Sequence, residues 1–119
     1  MAIGEGPETK AILDFVRPMY ALYIGGMGAK GKNFYNTLVS RYGFEAEAAE
    51  IQDLYLAGKK DEAAKAVPLE LLEMTNLVGP EGYVKERIAA YREAGVSVLQ
   101  VTPVGNATEL VEKVKAWTD

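Results

Sequence analysis

Helices dominate this sequence, and one αβ step near its C-terminal end places it in the α/β class. Three observations carry that expectation. Residues 80–94 read as an amphipathic helix closed by Gly95, and an apolar run of Val96, Val98, Leu99 and Val101 follows at once. That run is apolar on both faces, as strands are in parallel sheets covered by helices. Everything before it breaks into short amphipathic helices punctuated by glycine and proline. The chain is therefore expected to be mostly α-helical, with one strand near residues 97–102.

Taken in order, residues 1–6 are small and glycine-rich and are expected to be a flexible lead-in. A helix is expected from Pro7 or Glu8 to Ile24. Pro7 suits a first turn, and Glu8 lies near the positive end of the helix dipole. Ile12, Phe15, Val16, Met19, Tyr20, Tyr23 and Ile24 recur at helical spacing and form its expected core face. Pro18 lacks a donor and should kink or restart the helix near Arg17. Asn33 can cap a helix from Phe34 to Tyr42, ended by Gly43, with Phe34, Leu38 and Val39 inward. A further helix, 45–57, carries Glu45, Glu47 and Glu50 in its first half and ends at Gly58. Its acidic run reads as a solvated face, because Ala48, Ile51, Leu54 and Tyr55 form the core stripe. Asp61 is the expected cap of a short helix to Ala66, and Pro68 opens another over 69–74. Leu77 and Val78 form a short apolar pair before the 80–94 helix. Asn106 or Thr108 can cap a last helix to Trp117.

Composition removes several classes of function. Of 119 residues, 49% are hydrophobic and 25% charged, within the globular range and enough for one domain at most. The net charge of −4 disfavours nucleic acid as a partner, because phosphate contacts require clustered Lys and Arg. No apolar run approaches the ~18 residues of a spanning helix, so no membrane is expected as a partner. The N-terminus has no basic segment leading into an apolar core, as a secretory signal would. There are no cysteines and no histidines, which removes disulfides, thiolate sites, the commonest general base and the commonest metal ligand. No metal site is expected, and the cysteine-free composition fits the cytoplasm.

One stretch has the spacing of a binding motif. Residues 24–33, IGGMGAKGKN, contain GxGxxG in Gly26, Gly28 and Gly31. A dinucleotide site requires that motif between a strand and a helix, and here a helix precedes it. Three readings remain: a connection in which glycine supplies unusual backbone angles, a loop whose amides, with Lys30 and Lys32, face an anionic ligand, or a loop that contacts a partner.

The segments RPMYALYIGGMGAKGKNFYNTLVSRYGFEAEAAEIQDLYLAGKKDEAAKAVPLELL and LVGPEGYVKERIAAYREAGVSVLQVTP resemble the luciferase-like monooxygenase family. The first is similar to the branch that uses the deazaflavin coenzyme F-420 in place of FMN. The resemblance covers nearly the whole chain from Arg17 onward. It implies a (β/α)8 TIM barrel of which this chain would supply the C-terminal third, and hydride transfer between a deazaflavin or flavin and a carbon centre. The family's catalytic residues lie in earlier strands, so none is assigned here. In such a barrel the site lies at the C-terminal ends of the strands. Thr102 and Gly105 would leave the 97–102 strand at that end. Gly26, Gly28, Lys30 and Lys32 could approach the same mouth, which makes these six the candidate cofactor-binding residues.

The expectation is thus a single partial domain over 1–119, binding no F-420 or FMN by itself and inactive alone. A helical module that self-associates or binds a partner without catalysis is the alternative. Either way the unpaired strand and uncovered helix faces point to a homo-oligomer.

Overall fold

A computed structural model describes residues 1–118, which divide into two compact units: residues 14–74, and residues 1–13 with the chain from Thr75 onward. The elements are β1 (Ala2–Ile3), α1 (Pro7–Ala21), a π-helical turn Leu22–Gly26, α2 (Phe34–Val39), a second π-helical turn Ser40–Phe44, α3 (Glu45–Leu56), α4 (Lys60–Ala66), α5 (Leu69–Thr75), β2 (Val78–Gly79), α6 (Glu81–Glu93) and α7 (Ala107–Thr118).

The 14–74 unit is helical throughout. Ala21, Ile24, Ala48, Ile51, Ala63, Val67, Leu71 and Leu72 are buried and form its core. α3 lies centrally, against the first π-turn on one side and α4 on another. The Ala48–Ile51 spacing supplies the inward stripe of α3, as its periodicity predicts, while its glutamates stay wet. Arg17 ties the end of α1 to the chain before α5: its guanidinium donates to the Val67 carbonyl and its Nε meets Asp14 at 2.8 Å.

The apolar pattern of α1 is split rather than one-sided. Leu13, Ala21 and Ile24 are buried, whereas Phe15 is 84% exposed, Met19 51% and Leu22 39%. At 100° per residue the two sets lie on opposite faces of one helix. Placing Phe15 and Met19 in the core is therefore corrected: a helix with two apolar stripes can bury only one against a single neighbour. The helix runs through Pro18 without a break. Phe34, expected inward, is 70% exposed and stacks edge-on against Tyr35, centroids 5.5 Å apart. α4 begins one residue earlier than expected, with Lys59 at the cap position and Asp61 in the first turn.

The other unit holds the sheet. β1 and β2 pair in parallel, Ala2 beside Val78 and Ile3 beside Gly79. Within residues 1–6, expected as a flexible lead-in, Ala2–Ile3 form β1. The strand expected over 97–102 is not formed: residues 96–104 have no regular secondary structure, and Val98 is 82% exposed. The reason is a shortage of partners. A ladder needs a run of facing backbone groups. Ala2 and Gly4 donate to the β2 side, to Leu77 and Gly79 carbonyls at 2.9 Å, which turns Met1 and Ile3 to the other edge. Met1 meets the segment through two bonds, its amino group to the Thr102 carbonyl at 2.6 Å and its carbonyl from the Val104 N–H at 2.8 Å. One residue of pairing does not extend into a strand. α6 and α7 pack together, with Val84, Ile88 and Leu110 buried and Lys113 bridging to Glu81 at 3.3 Å.

Candidate functional site

The glycine-rich stretch begins where α1 widens into the π-turn Leu22–Gly26. A helix end leaves carbonyls without intrahelical partners. Here two asparagines take them. Asn33, 2% exposed, donates through Nδ2 to the Tyr23 and Ile24 carbonyls, both at 3.0 Å, and its Oδ1 accepts the Asn36 N–H at 3.0 Å. That last bond is the N-cap of α2. Asn36 donates to the Ile24 carbonyl at 3.1 Å and to the Ala48 carbonyl at 2.8 Å. Two side-chain amides therefore join the π-turn, α2 and α3. Gln52, also buried, points its Nε2 at the Gly28 carbonyl from 3.5 Å. Among the described residues no buried side-chain N or O lacks a partner, as expected of a satisfied interior.

The glycines have steric reasons for being glycine. A Cβ at Gly25 would stand 2.5 Å from the Tyr55 Cβ and 3.1 Å from the Ile51 carbonyl oxygen. One at Gly26 would stand 2.5 Å from the Tyr55 Cε1, and one at Gly28 would stand 2.6 Å from the Lys32 carbonyl oxygen. Gly31 sits at φ 79° in a tight turn closed by the Lys32 N–H to the Ala29 carbonyl at 2.9 Å. The GxGxxG spacing thus marks close packing on α3 and one turn. Lys30 pairs with Asp53 of α3 at 2.5 Å, both side chains largely exposed, and Lys32 is exposed.

Thr102 and Gly105 belong to the other unit. Thr102 offers its carbonyl to Met1, and Gly105, at φ 105°, turns the chain towards α7. Asn106 caps that helix by accepting the Glu109 N–H at 3.1 Å. Of the six candidate residues, Gly26, Gly28, Lys30 and Lys32 are thus gathered around the start of the α2 loop, and Thr102 and Gly105 lie at the turn before α7.

The electrostatics are mild. Burial lowers the pKa of the Met1 amino group, and the hydrogen bond and charge of Glu81, helped by Glu109, raise that of Lys113. No group of three or more His, Cys, Asp or Glu stands close enough to hold a metal among the described residues, and no described helix is long and apolar enough to cross a membrane. Sequence reading missed two features. Asn36 joins three elements, and its only signal is its place three residues after the Asn33 cap. A cleft of ≈ 340 Å³ lies between α6, the 96–104 segment and α7, lined by Ile88, Tyr91, Val96, Leu99 and Val114 with Arg92, Ser97 and Thr118 as its polar groups. As a whole the geometry is a packing joint: it fixes helices and presents few polar groups to a ligand.

Comparison with known proteins identifies what this chain is similar to. The chain is 37% identical over 95 residues to a Mycobacterium tuberculosis protein that carries the provisional name coenzyme F-420-dependent oxidoreductase. The aligned part is 80% of this chain and 27% of that protein, so the chain spans about a quarter of the relative it matches. No solved structure matches the chain significantly. The luciferase-like monooxygenase pattern matches residues 8–98, covering α1 through α6. The family's fold is the (β/α)8 barrel. With most of its length matched, the chain belongs to the luciferase-like monooxygenase family.

Proposed function

We propose that the chain works as part of a luciferase-like, F-420-dependent oxidoreductase catalysing hydride transfer, and that it supplies scaffold rather than the reacting groups. The observation that carries the F-420 assignment is the 37% identity to a relative bearing that name. A deazaflavin is a planar ring system, and its seat requires a flat slot with polar groups aimed at the ring edge. The residues here do not fit that need by themselves. The close approaches of Gly25 and Gly26 are taken by Tyr55, that of Gly28 by a backbone carbonyl, and the charge of Lys30 by Asp53.

Titration of the 119-residue protein with F-420, and separately with FMN, tests the reading. Absorbance and fluorescence of either cofactor should be unchanged through equimolar protein. A saturable spectral change with tight affinity would show a cofactor seat within this chain and overturn the scaffold assignment.

A further inference from the structure

Met1 bonds the 96–104 segment in a pattern with a direction. Its amino group donates to the Thr102 carbonyl and its carbonyl accepts from the Val104 N–H, at 2.6 and 2.8 Å. Two such bonds, from one residue to positions two apart on its neighbour, are the repeating unit of a parallel ladder, and they set Met1 opposite Pro103. Proline fits that place. The residue opposite turns its own N–H position to the far edge, so the missing donor costs the bridge nothing and blunts the far edge instead. Burial along the segment already has the period of a strand: Leu99, Val101 and Pro103 are half-buried, and Val98, Gln100, Thr102 and Val104 between them are exposed.

The bridge also fixes where pairing can grow. The next unit downstream would set Gly105 beside Ile3, but Gly105, at φ 105°, turns the chain to α7. Upstream the edge stays open. Among the described residues, the N–H groups of Val98, Gln100 and Thr102 and the carbonyls of Val98 and Gln100 have no backbone partner.

We propose that residues 97–102 are an acceptor edge for extended polypeptide that runs into Met1, parallel to them and continuous with β1. Met1 sets the register. The second residue ahead of Met1 donates to the Gln100 carbonyl and accepts from the Thr102 N–H. The fourth bonds Val98 and Gln100 in the same way. The sheet then runs β2, β1, 97–102, all parallel. Recognition is by backbone, as in strand addition generally. A strand from a second copy fits less well: to hold this register it would have to end against the Met1 amino group, whereas chain joined to Met1 carries the ladder on without a break. The pairing follows from hydrogen-bond geometry whether or not the chain serves an oxidoreductase.

Amide hydrogen exchange by NMR tests this on the 119-residue protein and on two forms of it with six residues joined ahead of Met1. One extension alternates threonine and valine. The other alternates proline and glycine, with proline second, fourth and sixth before Met1, where the donors are needed. In the 119-residue protein the Val98, Gln100 and Thr102 amides should exchange freely. The threonine–valine extension should slow all three at least 10-fold, independently of protein concentration, and the proline extension should slow none. Equal exchange in the two extended forms overturns the proposal. So does protection of Leu99 and Val101 in place of the three, which would put the new strand on the far edge. Protection that grows with protein concentration also overturns it, because it would assign the edge to a second copy.

Discussion

Replacing Gly25 by alanine tests whether the glycine-rich loop is a packing joint. In an open helical turn this change would stabilise, since alanine is favoured over glycine by up to ~1 kcal/mol. The structure reverses the sign. The new Cβ would lie 2.5 Å from the Tyr55 Cβ and 3.1 Å from the Ile51 carbonyl oxygen, both fixed to the α3 backbone. Carbon atoms settle near 3.5–4.0 Å, so the π-turn and α3 must part by about 1 Å. Overpacking of this kind costs about 1–3 kcal/mol, and a backbone obstacle puts Gly25→Ala near the upper end. For a unit of this size that is a fall in melting temperature of roughly 10–20 °C. Gly26→Ala is the control. Its added Cβ meets only ring atoms of Tyr55, Cε1, Cδ1 and Cζ, and a ring can swing. It should cost about 1 kcal/mol, and the cost should vanish in a Tyr55→Ala background, whereas Gly25→Ala should stay destabilising there. Urea unfolding followed by circular dichroism, run as two double-mutant cycles, reads both results. Stabilisation by Gly25→Ala, or equal rescue of both variants by Tyr55→Ala, would refute the close-packing argument.

Other outcomes follow from the same geometry. Asn33→Ala should cost about 2–3 kcal/mol in urea unfolding, because it removes a cap and two bonds to buried carbonyls; Asn36→Ala should cost less, since Asn33 still serves the Ile24 carbonyl. Val98→Asp should change stability by no more than about 0.5 kcal/mol, as befits an 82% exposed side chain; a loss of several kcal/mol would restore the buried-strand reading. Lys113 has a raised pKa in the folded chain, so its pairing with Glu81 contributes below its ordinary value of 10.5 and is lost as pH climbs through the raised value. The melting-temperature difference between wild type and Lys113→Met should accordingly persist at neutral pH and shrink in strong alkali.

The helices were legible because their signals are local. Asn33, Gly43, Gly58 and Gly95 punctuate them, and the Ala48–Ile51 spacing fixed the inner face of α3. What failed was what depends on neighbours. A two-sided apolar run such as Val96–Val101 states that it can be a strand, but only a facing backbone makes it one, and Met1 supplies one residue of pairing. Phe15 and Met19 misled for a related reason: periodicity shows that α1 is apolar on a face, not which of two faces meets the core. The GxGxxG loop was readable as glycine-rich, yet the partner that requires Gly25 and Gly26, Tyr55, lies thirty residues away in sequence and leaves no local trace. The β2 strand was visible only as the pair Leu77 and Val78, too short for a period to register.

We propose that this chain is an interchangeable scaffold portion of an F-420-dependent luciferase-like enzyme. The most direct measurement is F-420 binding by a chimera in which the aligned segment of the Mycobacterium tuberculosis relative is replaced by the 95 matched residues of this chain. The chimera should fold, and its F-420 fluorescence titration should match that of the parent protein. A chimera that folds, by circular dichroism and cooperative melting, yet loses F-420 binding while the parent retains it would contradict the proposal.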